Sequence, residues 1–285
     1  MDEIGRTLSA WDGVPLAVTE WRNGAAALPP LLCLPGLVRT AGDFAGFAGE
    51  FGHGRRVVSL DYAGRGRSGR VGDPGRYGPE ACLRDVLDVC TALHLHRVIV
   101  VGTSFGGLLA MGLATARPGL LAGAVLNDIG PEIDPAGAAF IRGFVATDPV
   151  LPDLAACAAY LRELLPDLSI GDDAGWRAFA ALTYGPEPDG RCHPLWDTRI
   201  EQLLGSPAPD LWPLFGALAG VPLLLVHGGR SSVLSAATVG RMREIRPDMT
   251  VLSLPDVGHA PTLAEPEAAA GLRRFLGGRF PGAGA

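Results

Sequence analysis

The sequence predicts an α/β fold: a doubly wound, mostly parallel sheet with an inserted helical lid. Three observations carry this. Short β-branched or leucine-rich runs alternate with helix-forming segments at both ends of the chain. One such run, Val98 to Val101, feeds directly into a glycine-flanked serine and then a helical stretch. From Glu132 to about Phe215 the strand rhythm stops, and a segment rich in Ala, Leu, Pro and Asp replaces it.

In chain order, Arg6 to Trp11 and Pro15 to Trp21 read as two strands around the Asp12-Gly13 turn, a hairpin signal. Leu31 to Leu34 reads as a buried strand ending at Pro35-Gly36, with a loop to Thr40 beyond it. Phe44, Phe47 and Phe51 recur at helical spacing over Ala41 to Phe51. Arg56 to Leu60 is the next strand and enters the Gly-rich stretch Asp61-Tyr-Ala-Gly-Arg-Gly-Arg-Ser-Gly69. That stretch lacks the spacing and lysine of a phosphate-binding loop, so it reads as a tight turn with Asp61 and Ser68 bonding local backbone. Pro79 to Leu93 is an amphipathic helix with proline in its first turn. Ala122 to Leu126 is a strand closing at Asn127-Asp-Ile-Gly-Pro131.

The inserted segment shows helical patches at Leu154 to Leu165 and Trp176 to Leu182, and holds Trp176, Trp196 and Trp212. Its length exceeds an ordinary crossover. Strands then resume at Val221 to Gly228 and Thr250 to Leu254, with helices at Ala236 to Ile245 and Glu267 to Leu276. The expected organisation is a core formed by 1–131 and 216–285, with 132–215 as the lid.

Composition narrows the function. Of 285 residues, 48% are hydrophobic, enough for a sizeable core. The formal net charge is -6 and no basic run appears, which argues against nucleic acid as a partner. The five cysteines are scattered, with no C-x-x-C pair, and read as reduced buried thiols. The N-terminus lacks a basic region followed by an apolar run, and no apolar run reaches membrane-spanning length. A cytoplasmic location without membrane association is the expectation.

Chemistry concentrates at Gly102-Thr-Ser-Phe-Gly106, a G-x-S-x-G motif between strand and helix. Strand, glycine-flanked serine and helix make a nucleophile elbow, which holds a hydroxyl above the sheet at the positive end of a helix. The plainer reading of Ser104 is a helix cap; the flanking elements favour the nucleophile. A serine hydroxyl is weak alone and needs a base and a group to orient that base. Of the six histidines, His259 follows the last strand and so lies at the carboxyl edge of the sheet, with Ser104. His53, His94 and His96 precede strands and lie at the opposite edge. His227 ends a strand beside the site, and His193 falls in the lid as a solvated residue.

Leu34-Pro-Gly-Leu37, Ser59 to Ser68, Gly102 to Gly107, Val226-His-Gly-Gly229 and Val257-Gly-His-Ala-Pro261, in that order, resemble the α/β-hydrolase superfamily. The resemblance spans almost the whole chain outside the lid. It implies an oxyanion hole built from the backbone N–H groups of Phe105 and Leu37. Many relatives carry histidine where Pro35 stands, so proline is expected to stiffen this loop. One position departs. The acid usually follows the strand that here ends at Gly228, but that slot reads Gly229-Arg-Ser-Ser-Val-Leu234, with Ser231 in the acid's place. Some relatives place the acid after the preceding core strand, which here offers Asp128. Ser104, His259 and Asp128 are therefore the expected triad. Asp256 stands too close to His259 in sequence to face its ring easily.

These readings converge on a serine hydrolase of a small ester or lactone, with no metal or cofactor expected. Carbon–carbon hydrolysis of a dienoic diketone is the alternative chemistry. A non-catalytic receptor on the same fold is the alternative class, kept open by Ser231. Asp at position 104 would have signalled dehalogenation; the serine disfavours it.

Overall fold

The computed structural model describes residues 1–204 and 209–280. Residues 205–208, within the expected insertion, and 281–285 lie outside the described residues. The N-terminal hairpin is β1 (Asp2–Ser9) and β2 (Pro15–Arg22). Then come β3 (Leu31–Leu34), α1 (Ala45–Phe51), β4 (Arg56–Leu60), α2 (Pro79–Ala92) and β5 (Val98–Thr103). After α3 (Phe105–Ala116) and β6 (Leu121–Asn127) the sheet is interrupted. It resumes with β9 (Leu223–Gly228), α8 (Ala236–Ile245), β10 (Thr250–Leu254) and α9 (Pro266–Arg279). The intervening elements are α4 (Pro135–Ala146), α5 (Leu154–Leu164), α6 (Asp173–Ala181), β7 (Tyr184–Pro186), β8 (Cys192–Pro194) and α7 (Trp212–Gly216).

The eight-stranded sheet runs β1-β2-β4-β3-β5-β6-β9-β10. The pairings β1–β2 and β2–β4 are antiparallel and the others parallel. Strands β3, β6 and β9 are buried along their full length, as parallel strands covered on both faces must be. The period-two alternation of strand side chains divides the core. Leu31, Cys33, Ile99 and Val101 face α1 and α9, with Phe47, Phe51, Leu272 and Phe275. Leu32, Leu34, Val98 and Val100 face α2, α3 and α8, with Val86, Val89, Leu109 and Met242. All five cysteines are unpaired and buried.

Two local readings of the sequence shift. The first strand begins at Asp2 rather than Arg6 and stops before Trp11. Register with β2 pairs Asp2 with Arg22 and Ser9 with Pro15, which leaves Ala10 to Val14 for the turn. Trp11 is held in that turn: its N–H donates to Asp88 and the Arg84 guanidinium lies 4.0 Å above its ring. The Ala41 to Phe51 helix opens as a 3₁₀ turn over Ala41–Phe44 before α1 begins.

The segment between β6 and β9 buries its apolar side chains in the same cluster as α2, α3 and α8. The buried Trp196 donates its indole N–H to the Val145 carbonyl at 2.9 Å and packs on Phe144 and Tyr184. The sequence did not single out α4, β7 or β8. Helix α4 carries two glycines but has a readable start: Pro135 in the first turn, and the Asp134 carboxylate accepting from the Ala136 N–H. Strands β7 and β8 are three residues each, too short to show a period.

His193, on β8, bridges two carboxylates: Nδ1 lies 2.7 Å from Asp148 and Nε2 3.0 Å from Asp189. The bond to Asp148, then that to Asp189, raises its pKa above the ordinary imidazole value. A raised folded-state pKa gives a stabilising contribution that is complete below about 6.5 and fades as pH rises through the folded value. NMR titration of the His193 ring is expected to give a midpoint above 6.5 that falls in Asp148→Asn. An unchanged midpoint would remove Asp148 as the cause.

Candidate active site

Ser104 sits between the end of β5 and the start of α3 with φ 51° and ψ -116°. A non-glycine residue there is strained by roughly 1–3 kcal/mol, so its surroundings must hold it. They do so by close approach. A β-carbon on Gly102 would lie 2.4 Å from the Gly106 carbonyl oxygen, and one on Gly106 would lie 2.0 Å from the Leu34 carbonyl oxygen. Helix α3 therefore rests directly on β3 and β5, with Ser104 standing at their carboxyl edge. The Ser104 N–H donates to the Asn127 carbonyl at 3.0 Å, tying the elbow to β6.

Three residues far apart in the chain meet at this edge. His259 Nε2 lies 2.9 Å from the Ser104 hydroxyl oxygen, and Nδ1 lies 2.8 Å from Asp128 Oδ2. Asp128 is fully buried and follows β6. Its second oxygen accepts the Gly228 N–H at 2.8 Å, and its own N–H donates to Val226 at 2.8 Å. Both carboxylate oxygens are thus engaged, as a desolvated charge requires. Asn127 donates to the Pro261 carbonyl at 2.8 Å and to Thr103 Oγ1 at 3.1 Å, which fixes the far side of the His259 loop. The near side is tied to the insertion, where the Gly258 N–H donates to Asp167 at 2.8 Å.

The loop after β3 lies against the same serine. A β-carbon on Gly36 would stand 3.9 Å from Ser104 Cβ. Among the described residues no protein acceptor takes the N–H of Leu37 or Phe105. Proline is not what holds this loop alone. The Tyr62 hydroxyl donates to the Pro35 carbonyl at 3.2 Å, and Arg65 Nε donates to the Leu37 carbonyl at 2.9 Å. Both residues belong to the turn that the sequence presents as merely local. Asp61 accepts from Arg67 within that turn but also from Ala41 beyond it, and Ser68 donates to the Asp61 carbonyl while accepting from Ala17. The sequence carried no signal for these two contacts, since both run to main-chain carbonyls.

The remaining candidates fall elsewhere. Ser231 accepts the N–H groups of Val233 and Leu234 at 3.1 Å each, so it closes a turn where an acid would stand in many relatives. Asp256 is exposed and pairs with Arg230. His227 is buried and bonds the Leu234 carbonyl. Among the described residues no group of three or more His, Cys, Asp or Glu converges on a metal site, and no helix is long and apolar enough to cross a membrane. Gly106→Ala drives a methyl into backbone that cannot yield, so a cost of about 3 kcal/mol or more is expected, read as a lowered thermal midpoint. A midpoint within a degree or so of wild type would mean that α3 does not rest on β3 as described.

The chain is similar to known proteins along most of its length. The model of the alpha/beta hydrolase family matches residues 31–272. The chain is 31% identical over 276 residues to the 3-hydroxybutyrate-oligomer hydrolase of Cupriavidus necator, covering 92% of this chain and 93% of the relative. It is 28% identical over 215 residues, 74% of each chain, to the 2-(acetamidomethylene)succinate hydrolase of Mesorhizobium japonicum. The crystal structure of an alpha/beta hydrolase from Novosphingobium aromaticivorans superposes with a TM-score of 0.91 at 37% identity, covering 97% of this chain and 98% of that one. The mostly parallel sheet, the serine at its elbow and these relatives together establish that the chain belongs to the alpha/beta hydrolase family and is a hydrolytic enzyme.

Proposed function

We propose that this hydrolase cleaves a small carboxylic ester or lactone through an acyl-enzyme on Ser104. One observation carries the reading: the unbroken hydrogen-bonded chain from the Ser104 hydroxyl through both nitrogens of His259 to the buried Asp128. His259 accepts the serine proton as Ser104 attacks the carbonyl, then returns it to the leaving alcohol. Asp128 holds the imidazole with Nε2 free to accept, and stabilises the imidazolium that forms. The carbonyl oxygen, now an anion, lies at the N–H groups of Leu37 and Phe105, each worth on the order of 3 kcal/mol to the transition state. The positive end of α3 adds to this. Water then repeats the sequence on the acyl-enzyme. No metal or cofactor enters these steps.

The relative named for 3-hydroxybutyrate oligomers supports an ester as the bond attacked, since hydroxy-acid units are joined through carboxyl and hydroxyl. Two contacts of the segment between β6 and β9 support a role beside the site: Asp167 is bonded to the His259 loop, and Phe179 of α6 carries the Arg39 guanidinium 4.1 Å from its ring centre. We assign it the role of a lid that shields the reaction from bulk water. The protein acts on a small molecule; neither nucleic acid nor membrane takes part in the proposed reaction.

A panel of phenyl esters, lactones and hydroxybutyrate dimers, with a dienoic diketone alongside, tests the substrate class. Turnover of the esters is expected, and turnover of the diketone alone would transfer the reading to carbon–carbon hydrolysis. Ser104→Ala should lose at least about four orders of magnitude and all labelling by a fluorophosphonate probe. Asp128→Asn should lose about four orders in kcat with the fold intact. A loss below tenfold would mean that another group orients His259.

A further inference from the structure

We infer that Arg65 is a positioning residue for the oxyanion-binding peptide, and that its buried positive charge stabilises the anion formed there. This rests on the ester-hydrolase reading above. The starting observation is an anomaly. Arg65 is fully buried, and it forms no ion pair with any carboxylate of the described residues. Arg76, eleven positions later, shows the ordinary solution, pairing with both Asp12 and Asp85. A guanidinium stays charged in a protein, and burying one without a counter-charge is costly.

The titratable groups that face Arg65 do not neutralise it. They are the thiol of Cys82, which burial pushes up to about 11, and the phenols of Tyr62 and Tyr77, which burial pushes above their ordinary range. All three are neutral near pH 7. The guanidinium lies 5.8 Å from the Tyr62 ring centre and 5.7 Å from that of Tyr77. Its hydrogen bonds go to backbone carbonyls, Leu37 at 2.9 Å, Ala63 at 2.7 Å and a long one to Tyr77 at 3.5 Å, and to the neutral Cys82 sulfur at 4.0 Å. The charge is therefore retained with its field uncancelled, directly behind the loop that faces Ser104.

The bonds are placed so that one peptide cannot turn. The N–H proposed to bind the oxyanion belongs to the Gly36–Leu37 peptide. The peptide before it carries the Pro35 carbonyl, which the Tyr62 hydroxyl holds. The peptide after it carries the Leu37 carbonyl, which Arg65 holds. The middle peptide's own carbonyl, that of Gly36, accepts the Arg39 N–H at 3.1 Å, and with both flanking carbonyls held the rotation that Gly36 permits is restricted from three sides. Tyr62 also packs edge-on against Phe105, ring centres 5.5 Å apart, so the same side chain braces the residue that supplies the second N–H. A preorganised donor acts on the anion more than on the neutral carbonyl of the bound ester. Loss of Arg65 should therefore lower kcat and spare KM.

The test compares Arg65→Met, Arg65→Lys and Tyr62→Phe with the wild type, each checked for an intact fold by its thermal transition. The substrate is p-nitrophenyl butyrate, and the probe is an alkyl trifluoromethyl ketone, which forms an anionic hemiketal on the serine. Arg65→Met is expected to lose about 10- to 100-fold in kcat with KM changed less than about threefold, and to bind the ketone more weakly by the same factor as kcat. Arg65→Lys should recover part of this loss by restoring charge without the planar fork. Tyr62→Phe, which removes one hydroxyl from a packed ring, should lose about fivefold in kcat. A folded Arg65→Met enzyme with kcat within about threefold of wild type, or with unchanged ketone affinity, overturns the proposal. If Arg65→Met does not fold, an unchanged kcat and ketone affinity in Tyr62→Phe overturns it instead. A wild type that turns over no ester and takes no label at Ser104 would fail the hydrolase reading itself, a result distinct from all of these.

Discussion

A carboxylate with no access to water governs how this sheet edge is assembled. Asp128 ends β6 fully buried, and its charge is tolerable only because each oxygen finds a donor. One donor is the Gly228 backbone at the end of β9, and the other is the imidazole of His259. Two parallel strands and the loop after the last strand must therefore stay in register. Gly228 permits the contact, since a β-carbon there would meet the Val257 and Gly258 carbonyls at 2.7 and 2.8 Å. Once His259 is anchored on that side, its other nitrogen reaches Ser104, whose strained backbone is held by the packing of Gly102 and Gly106. Breaking the carboxylate's contacts would release the imidazole and leave the serine hydroxyl without its partner.

A second set of constraints surrounds the serine from the other side. The turn from Asp61 to Gly69 holds the loop after β3 through Tyr62 and Arg65, and it is itself joined to the insertion. The Gly66 N–H donates to Leu195 at 2.6 Å and the Asp197 N–H donates to the Gly64 carbonyl at 2.8 Å. The insertion also bonds the His259 loop through Asp167. Both halves of the proposed site thus share backbone contacts with one inserted segment. Motion of that segment would be felt at the loop after β3 and at the His259 loop together.

Much of this was legible in the residues. The β5–Ser104–α3 element announces itself, because a strand, two obligatory glycines and a helix leave few other conformations. Asp128 was suggested by the resemblance, since some relatives carry their acid after the strand before the usual one; in the structure Ser231, in the usual position, closes a turn through its hydroxyl. What remained hidden has physical causes. Strands β7 and β8 are too short for alternation to register. Trp11 has a strand-former's side chain but is held in a turn by Asp88 and Arg84, contacts far away in sequence. The role of Arg65 could not be read from spacing, because its bonds run to main-chain carbonyls of Leu37 and Tyr77, and a carbonyl leaves no mark in the sequence.

The most direct test of the central claim is to catch the acyl group on Ser104. Rapid-quench mass spectrometry of the enzyme with p-nitrophenyl butyrate, followed by peptide mapping, reads it at once. The account predicts a transient butyryl adduct on the peptide containing Ser104, formed in step with a burst of nitrophenol and not formed on that timescale in His259→Ala. Ester turnover with no adduct on any peptide, or with the adduct on another residue, would contradict it.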